Sequence, residues 1–112
     1  MKLGIKTEDN AVILEVLETE LTSAKAPELK TELLRVVSEE KVNILVNLKS
    51  VSYIDSSGLS ALLFGRRQVE PVGGVLKLCC LSDSVMGMIK IAQLDRVFNI
   101  YDTEEEALGS FQ

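Results

Sequence analysis

The sequence contains no histidine and no tryptophan, and aromatic residues make up only 4% of its 112 residues. Without histidine, a Ser-His-Asp catalytic triad cannot form, and the commonest metal-ligating side chain in proteins is missing. Because aromatic side chains are scarce while 46% of the residues are hydrophobic, the core must be built from aliphatic side chains. The chain also has no apolar run of about 18 residues, so we predict no membrane insertion.

Basic residues are in the minority, with 12 Lys and Arg against 17 Asp and Glu, and the formal net charge is −5. Nucleic-acid binding needs clustered Lys and Arg to neutralise phosphates, so we predict no nucleic-acid partner. The N-terminal residues show no long apolar segment of the secretory type. We therefore expect the protein in the cytoplasm.

The two cysteines, Cys79 and Cys80, are adjacent. Neighbouring residues of a strand point to opposite faces, so the pair is predicted not to bridge. Spaced ligands, often with histidine, are typical of metal sites, and we predict none here. The pattern favours two small apolar strand residues in a reducing compartment.

Hydrophobic periodicity and turn residues predict the order β-β-α-β-α-β-α-β-α in one domain over residues 1–112. An N-terminal hairpin is predicted from Leu3–Thr7 and Ala11–Leu17, with Glu8, Asp9 and Asn10 in its turn. Later strands are separated by helices, which implies parallel neighbours. The predicted fold is α/β, with a mixed, mostly parallel sheet and about four flanking helices. Residues 18–23 are predicted to be a loop, with Thr22 or Ser23 capping the first helix.

The segment Asp55-Ser56-Ser57-Gly58 joins the end of a buried strand region to a helix predicted from about Ser57. Asp55 or Ser56 is a suitable N-cap, because a short side-chain oxygen accepts from unpaired backbone N–H groups. Gly58 falls in the first helical turn, where glycine lowers helix propensity. The simplest interpretation is that bare backbone here lets another molecule approach closely.

A serine beside an aspartate suggests a hydrolase, but no G-x-S-x-G elbow surrounds Ser56 and no phosphate-binding G-x-x-x-x-G-K-[ST] loop is present. A Ser-Lys pair with Lys49 or Lys90 stays open on composition alone. We predict that the chain is not an enzyme and needs no cofactor. A serine at a helix N-terminus is instead suited to phosphorylation, since the helix dipole tolerates the added charge. The alternative, that Ser56 and Ser57 are only capping and first-turn residues, stays open.

The residues Val46-Asn47-Leu48 and Tyr53-Ile54-Asp55-Ser56-Ser57-Gly58-Leu59 resemble the signature of STAS domains, in particular the bacterial anti-sigma factor antagonists. The resemblance implies that the unphosphorylated chain binds an anti-sigma factor that is also a serine kinase, which releases a sigma factor. The kinase would phosphorylate Ser56, and a phosphatase would restore it. The resemblance implies a partner-binding surface formed by Thr22, Asp55, Ser56, Ser57 and Gly58.

The sequence departs from that family's first loop, which usually has the form Gly-x-Leu-Asp. Thr19 stands in place of the glycine and Thr22 in place of the aspartate, which bears on the identity of the partner. An alternative function is a STAS scaffold or accessory subunit of a transporter or signalling assembly, with Ser56 unmodified. A serine-dependent enzyme is a third and weaker hypothesis.

Overall fold

The computed structural model describes residues 1–8 and 10–111. Asp9, which belongs to the predicted hairpin turn, lies outside the described residues. The strands, in chain order, are β1 (Leu3–Glu8), β2 (Ala11–Val16), β3 (Glu20–Leu21), β4 (Asn43–Asn47), β5 (Tyr53–Ile54), β6 (Val75–Cys79) and β7 (Asn99–Tyr101). The helices are α1 (Ala26–Ser38), α2 (Ser56–Val69), α3 (Asp83–Ile91) and α4 (Glu104–Gly109).

Five strands form the main sheet in the order β1-β2-β4-β6-β7. β1 and β2 are antiparallel, and every other neighbouring pair is parallel. The predicted α/β fold, with a mixed sheet, an N-terminal hairpin and four helices, is confirmed. Among the helices of the described residues, none is both long and apolar enough to cross a bilayer.

Alternation along the strands assigns one face of the sheet to each of two apolar clusters. In the larger cluster, Val12, Leu14 and Val16 of β2 pack against apolar side chains of α1, α2 and α3. The smaller cluster consists of Ile13, Leu45 and Cys79 from the sheet and Ala107 from α4, which covers this face. The central strands are therefore buried on both faces, as continuous apolar sequence predicts.

Lys77 anchors the far end of α4 to this second face. Its side chain is only 7% exposed, and its Nζ donates to the Ser110 carbonyl at 2.9 Å and to the Ser110 Oγ at 2.7 Å. The ammonium also lies 4.6 Å from the centre of the Phe111 ring and 5.5 Å from that of Tyr101. A cation at a helix C-terminus is favoured by the dipole, and here two hydrogen bonds and two aromatic rings surround the buried charge.

The loop predicted over residues 18–23 contains a short strand that the sequence did not reveal. β3 pairs in parallel with β5, with Glu20 opposite Tyr53 and Leu21 opposite Ile54. The two strands form a separate two-stranded sheet. Two-residue strands carry no periodicity, so only the fold brings them together.

The predicted cap of α1 is wrong. The N-cap residue is Lys25, and it makes no side-chain capping hydrogen bond. The Thr22 carbonyl instead accepts from the amides of Lys25 and Ala26, at 2.9 and 2.8 Å. These bonds form a turn that leads into the helix, and Pro27 lies in the first helical turn.

The prediction that both cysteines belong to one strand is also wrong. β6 ends at Cys79, and Cys80 has a φ of 64°, in the left-handed region. Side chains alternate between the faces only along extended backbone, so the rule does not extend to Cys80.

Candidate functional site

The predicted turn lies directly between β5 and α2, which begins at Ser56. Asp55 is the N-cap, and its Oδ1 accepts from the Gly58 amide at 3.0 Å. The prediction that Asp55 or Ser56 would cap this helix is therefore confirmed for Asp55. The first turn of α2 is held in place by a side chain that leaves Ser56 and Ser57 outside the capping interaction.

Asp55 also ties the loop before α1 to this turn. Its amide donates to the Leu21 carbonyl at 3.4 Å, and its Oδ2 accepts from the Ser23 amide at 3.3 Å. Thr22, half-buried, lies between these two bonded residues. The pairing of β3 with β5 thus brings Thr22 beside the Asp55–Gly58 turn, although the two segments are more than thirty residues apart in sequence.

Gly58 is buried against its own chain. A Cβ at this position would overlap the Leu21 carbonyl oxygen and would lie 2.6 Å from Ile54 Cγ1. The close backbone approach inferred from the sequence exists, but the approaching group is β3 rather than another molecule. The glycine is required for α2 to pack onto the β3–β5 pair.

A shallow groove of about 490 Å³ runs between the N-terminal ends of α1 and α2. Its walls include Ser23, Pro27 and Lys30 on one side and Ser56, Ser57 and Ser60 on the other. We call this feature the α1–α2 groove. Of the predicted site residues, Ser56 and Ser57 line the groove, whereas Thr22, Asp55 and Gly58 lie outside its lining.

Sequence reasoning missed Ser23, Lys30 and Ser60 as residues of the groove. Ser60 follows Ser56 by four positions, and residues at that spacing share a helix face. That signal was present in the sequence. No such signal was available for Lys30, because its place depends on how α1 packs beside α2.

Ser56 is exposed and Ser57 is half-buried. Within the described residues, the amides of Ser56 and Ser57 have no hydrogen-bond acceptor, as expected for the first turn of a helix. The helix dipole adds partial positive charge at this end of α2, and Lys30 is the charged side chain in the groove wall. The exposed serine hydroxyl therefore has the positive end of the α2 dipole and Lys30 on the groove side, and the Asp55 carboxylate directly before it in the chain.

The structure also bears on the Ser-Lys pair that the sequence left open. Lys49 and Lys90, the candidates for a Ser-Lys pair, do not line the groove. Among residues 1–8 and 10–111, no cluster of three or more His, Cys, Asp and Glu side chains is placed to hold a metal ion. The groove thus presents three serines of α2 together with Lys30.

Comparisons with known proteins by family model, by sequence and by structure all relate this chain to STAS domains and anti-sigma factor antagonists. The family model of the STAS domain matches residues 2–107. The anti-sigma-B factor antagonist of Bacillus subtilis is 29% identical over 101 residues, which cover 89% of this chain and 92% of that protein. The crystal structure of TM1081 from Thermotoga maritima superposes with a TM-score of 0.89 at 25% identity, covering 97% of this chain and 93% of that one.

The structure of the Bacillus cell fate determinant SpoIIAA in its phosphorylated form superposes with a TM-score of 0.76. The two chains are 20% identical, and the match covers 99% of this chain and 100% of that one. This likeness concerns the fold.

Proposed function

The chain belongs to the STAS domain family, and on that premise we propose that it is an anti-sigma factor antagonist switched by phosphorylation of Ser56. In this proposal the unmodified chain binds an anti-sigma factor that is also a serine kinase, and so releases a sigma factor in the cytoplasm. A phosphatase returns the modified chain to its active form. The observation that carries the proposal is the exposed Ser56 hydroxyl at the start of α2.

Ser56 is the best placed for modification of the three α2 serines that line the groove. It is exposed, whereas Ser57 is half-buried. It also lies in the first turn of α2 directly after the N-cap, where free backbone N–H groups and the helix dipole favour an anion. Ser60 is exposed as well, but it lies a full turn further into the helix, where the dipole effect has fallen off.

A phosphate at Ser56 would change the surface of the domain without requiring the domain to rearrange. It adds about −1.5 to −2 charges, and Lys30 and the α2 N-terminus supply nearby positive charge. SpoIIAA superposes on this chain with a TM-score of 0.76 in both its unphosphorylated and its phosphorylated form, which supports this part of the proposal. The effect would therefore fall on a partner that contacts the turn.

The size of such an effect is sufficient for a switch. A phosphate placed against an acidic or apolar partner surface costs several kcal/mol, and about 4 kcal/mol corresponds to roughly a thousandfold change in affinity. The proposed contact surface comprises Thr22, Asp55, Ser56, Ser57 and Gly58, with the buried members acting through the shape of the turn. The kinase supplies ATP and Mg²⁺, so the chain itself needs no cofactor.

The name of the Bacillus subtilis relative supports the class of partner, since that protein is an anti-sigma-B factor antagonist. Thr19 and Thr22 depart from the loop sequence usual in the family. The Thr19 carbonyl accepts from the Ser52 amide at 2.8 Å, so Thr19 contributes to the β3–β5 connection through its backbone. Its side chain is exposed, so a partner that docks on this loop would contact it directly.

The direct test is mass spectrometry of the purified chain after incubation with ATP and anti-sigma factor kinases that bind it. We expect one added phosphate, which is absent in Ser56→Ala and present in the matched variants Ser57→Ala and Ser60→Ala. Binding of the kinase should weaken strongly once Ser56 carries phosphate. If a kinase that binds the chain adds no phosphate, the scaffold alternative is favoured and the switch is rejected.

A further inference from the structure

Cys79 and Cys80 place their sulfur atoms 3.3 Å apart, with the Cys80 thiol donating to the Cys79 sulfur. We propose that this pair is a redox-modifiable vicinal dithiol, which hydrogen peroxide converts to a disulfide between adjacent residues. The proposal is independent of the function proposed above, because neither cysteine lines the α1–α2 groove.

The unusual backbone of Cys80 is the first argument. A φ of 64° is uncommon for a residue other than glycine, and such conformations persist only where the surroundings enforce them. Here they do, because the Cys79 carbonyl accepts from the Leu48 amide at 3.1 Å and the Cys80 amide donates to the Tyr101 carbonyl at 3.1 Å. Backbone hydrogen bonds on both sides, from Leu48 just after β4 and to Tyr101 of β7, therefore hold the dipeptide in the conformation that brings the sulfurs together.

The two thiols differ in burial, and this difference determines which one reacts first with peroxide. Cys79 is fully buried in the apolar cluster beneath α4, and this burial raises its pKa. Cys80 is half-buried at the margin of the same cluster. Peroxide reacts with accessible sulfur, so Cys80 is the attacking residue and Cys79 the resolving residue.

The chemistry balances with peroxide as the oxidant. The Cys80 sulfur attacks one peroxide oxygen, the O–O bond breaks, and the departing hydroxide leaves as water with the thiol proton. The Cys79 sulfur then attacks the Cys80 sulfenic acid, so that the S–S bond forms and the S–O bond breaks. The second hydroxide leaves as water with the Cys79 proton, and the two thiols have lost two electrons to the peroxide.

The product is expected to be easily reduced. Consecutive Cα atoms lie about 3.8 Å apart, whereas relaxed disulfides span about 4.4–6.8 Å between Cα atoms. A ring closed across one peptide unit is therefore strained, and strained disulfides have the more oxidising potentials typical of labile, regulatory bonds. We expect reversal by a mild dithiol reductant.

The test uses the full chain treated with hydrogen peroxide, followed by denaturation, alkylation with N-ethylmaleimide and mass spectrometry. We expect the wild-type monomer to lose two hydrogen atoms and both alkylatable thiols, and dithiothreitol to restore them. Cys79→Ala should give a Cys80 sulfenic acid that dimedone captures. Cys80→Ala should give no dimedone adduct while folded, since its remaining thiol is buried.

Alanine is suited to both sites because a free cysteine packs as a small apolar residue, and circular dichroism checks that each variant is folded. The wild-type result decides the proposal by itself even where a variant does not fold. Oxidation of Cys80 to sulfinic acid with Cys79 still alkylatable would overturn the proposal. So would a disulfide that joins two chains instead of adjacent residues.

Discussion

Gly58 rests directly on the Leu21 carbonyl, so that the first turn of α2 and the short strand β3 meet without a side chain between them. The same glycine faces Ile54 of β5. One position therefore sets the distance between α2 and both strands of the β3–β5 pair. The Asp55–Gly58 turn depends on that distance for its hydrogen bonds to Leu21 and Ser23.

Gly58→Ala should destabilise the protein despite the better helix propensity of alanine. The added methyl group overlaps backbone that cannot rotate away, and overpacking of this kind costs about 1–3 kcal/mol. Urea unfolding measures the change. Gly87→Ala is the matched control, because Gly87 lies inside α3 and its added Cβ would meet no atom within 4 Å. The control should be neutral or stabilising by up to about 1 kcal/mol, and equal losses in the two variants would refute the packing argument.

Asp55→Ala should cost more stability than removal of an ordinary N-cap. Its carboxylate accepts from the Gly58 amide and from the Ser23 amide, whereas Ser82 caps α3 through a single bond to the Val85 amide. Loss of a cap costs about 0.5–2 kcal/mol, and we expect Asp55→Ala near the upper end and Ser82→Ala near 1 kcal/mol. Chemical denaturation of both variants makes the comparison. A smaller loss for Asp55→Ala would show that the bond to Ser23 contributes nothing.

Lys30 should lower the second pKa of a phosphate on Ser56. That pKa is ordinarily about 6, and a nearby opposite charge favours the doubly charged form. Phosphorus NMR titration of the phosphorylated chain should therefore give a higher value for Lys30→Gln than for the wild type. Lys90→Gln, at an exposed position outside the α1–α2 groove, should leave the value unchanged. Identical titrations of all three proteins would place the phosphate away from Lys30.

Glu104 makes stability depend on pH at the start of α4. Its pKa is lowered from the ordinary 4.5, first by the hydrogen bond from Asn47 and then by Lys6. The Asn47 Nδ2 donates to Glu104 Oε2 at 2.7 Å, and Lys6 Nζ lies 3.1 Å from Oε1. A lowered pKa in the folded protein means that the carboxylate stabilises the fold fully above pH 4.5 and less as the pH falls through its lowered value.

Glu104→Gln should therefore lose about 1 kcal/mol at neutral pH, and the difference from wild type should shrink as the pH falls below 4.5. Urea unfolding between pH 7 and pH 3 measures this convergence. Glu105→Gln, exposed on the same turn of α4, is the control and should show a smaller difference. A gap between Glu104→Gln and wild type that stays constant with pH would contradict the assignment.

Much of the fold follows from patterns that local sequence carries. The apolar strands around Val12 and Val46 and the helix of Leu29 and Leu33 each show their period over five residues or more. The parallel pairing of the later strands follows from the helices that separate them. The caps Asp55, Ser82 and Thr103 were also predictable, because each is a short polar residue directly before a helix. Such signals need no knowledge of distant contacts.

The errors concern residues whose conformation depends on remote parts of the chain. Leu21 forms a strand only because Ile54 lies beside it, and Gly58 is required by that same pairing. Cys80 adopts its left-handed backbone because Leu48 and Tyr101 bond to the dipeptide from both sides. Lys30 enters the groove through the packing of α1 on α2. None of these relationships has a period or a local motif that the sequence could display.

The separation of the β3–β5 pair from the main sheet has a kinetic consequence. With two residues in each strand, the pair can open as a local unit whose free energy of opening lies below that of global unfolding. We expect the Tyr53 amide, bonded to the Thr19 carbonyl, to exchange with solvent deuterium well before the amides of β4. Because Leu21 and Ile54 belong to the larger apolar cluster, we expect such opening to uncover core side chains beside Ser56 while the main sheet stays closed.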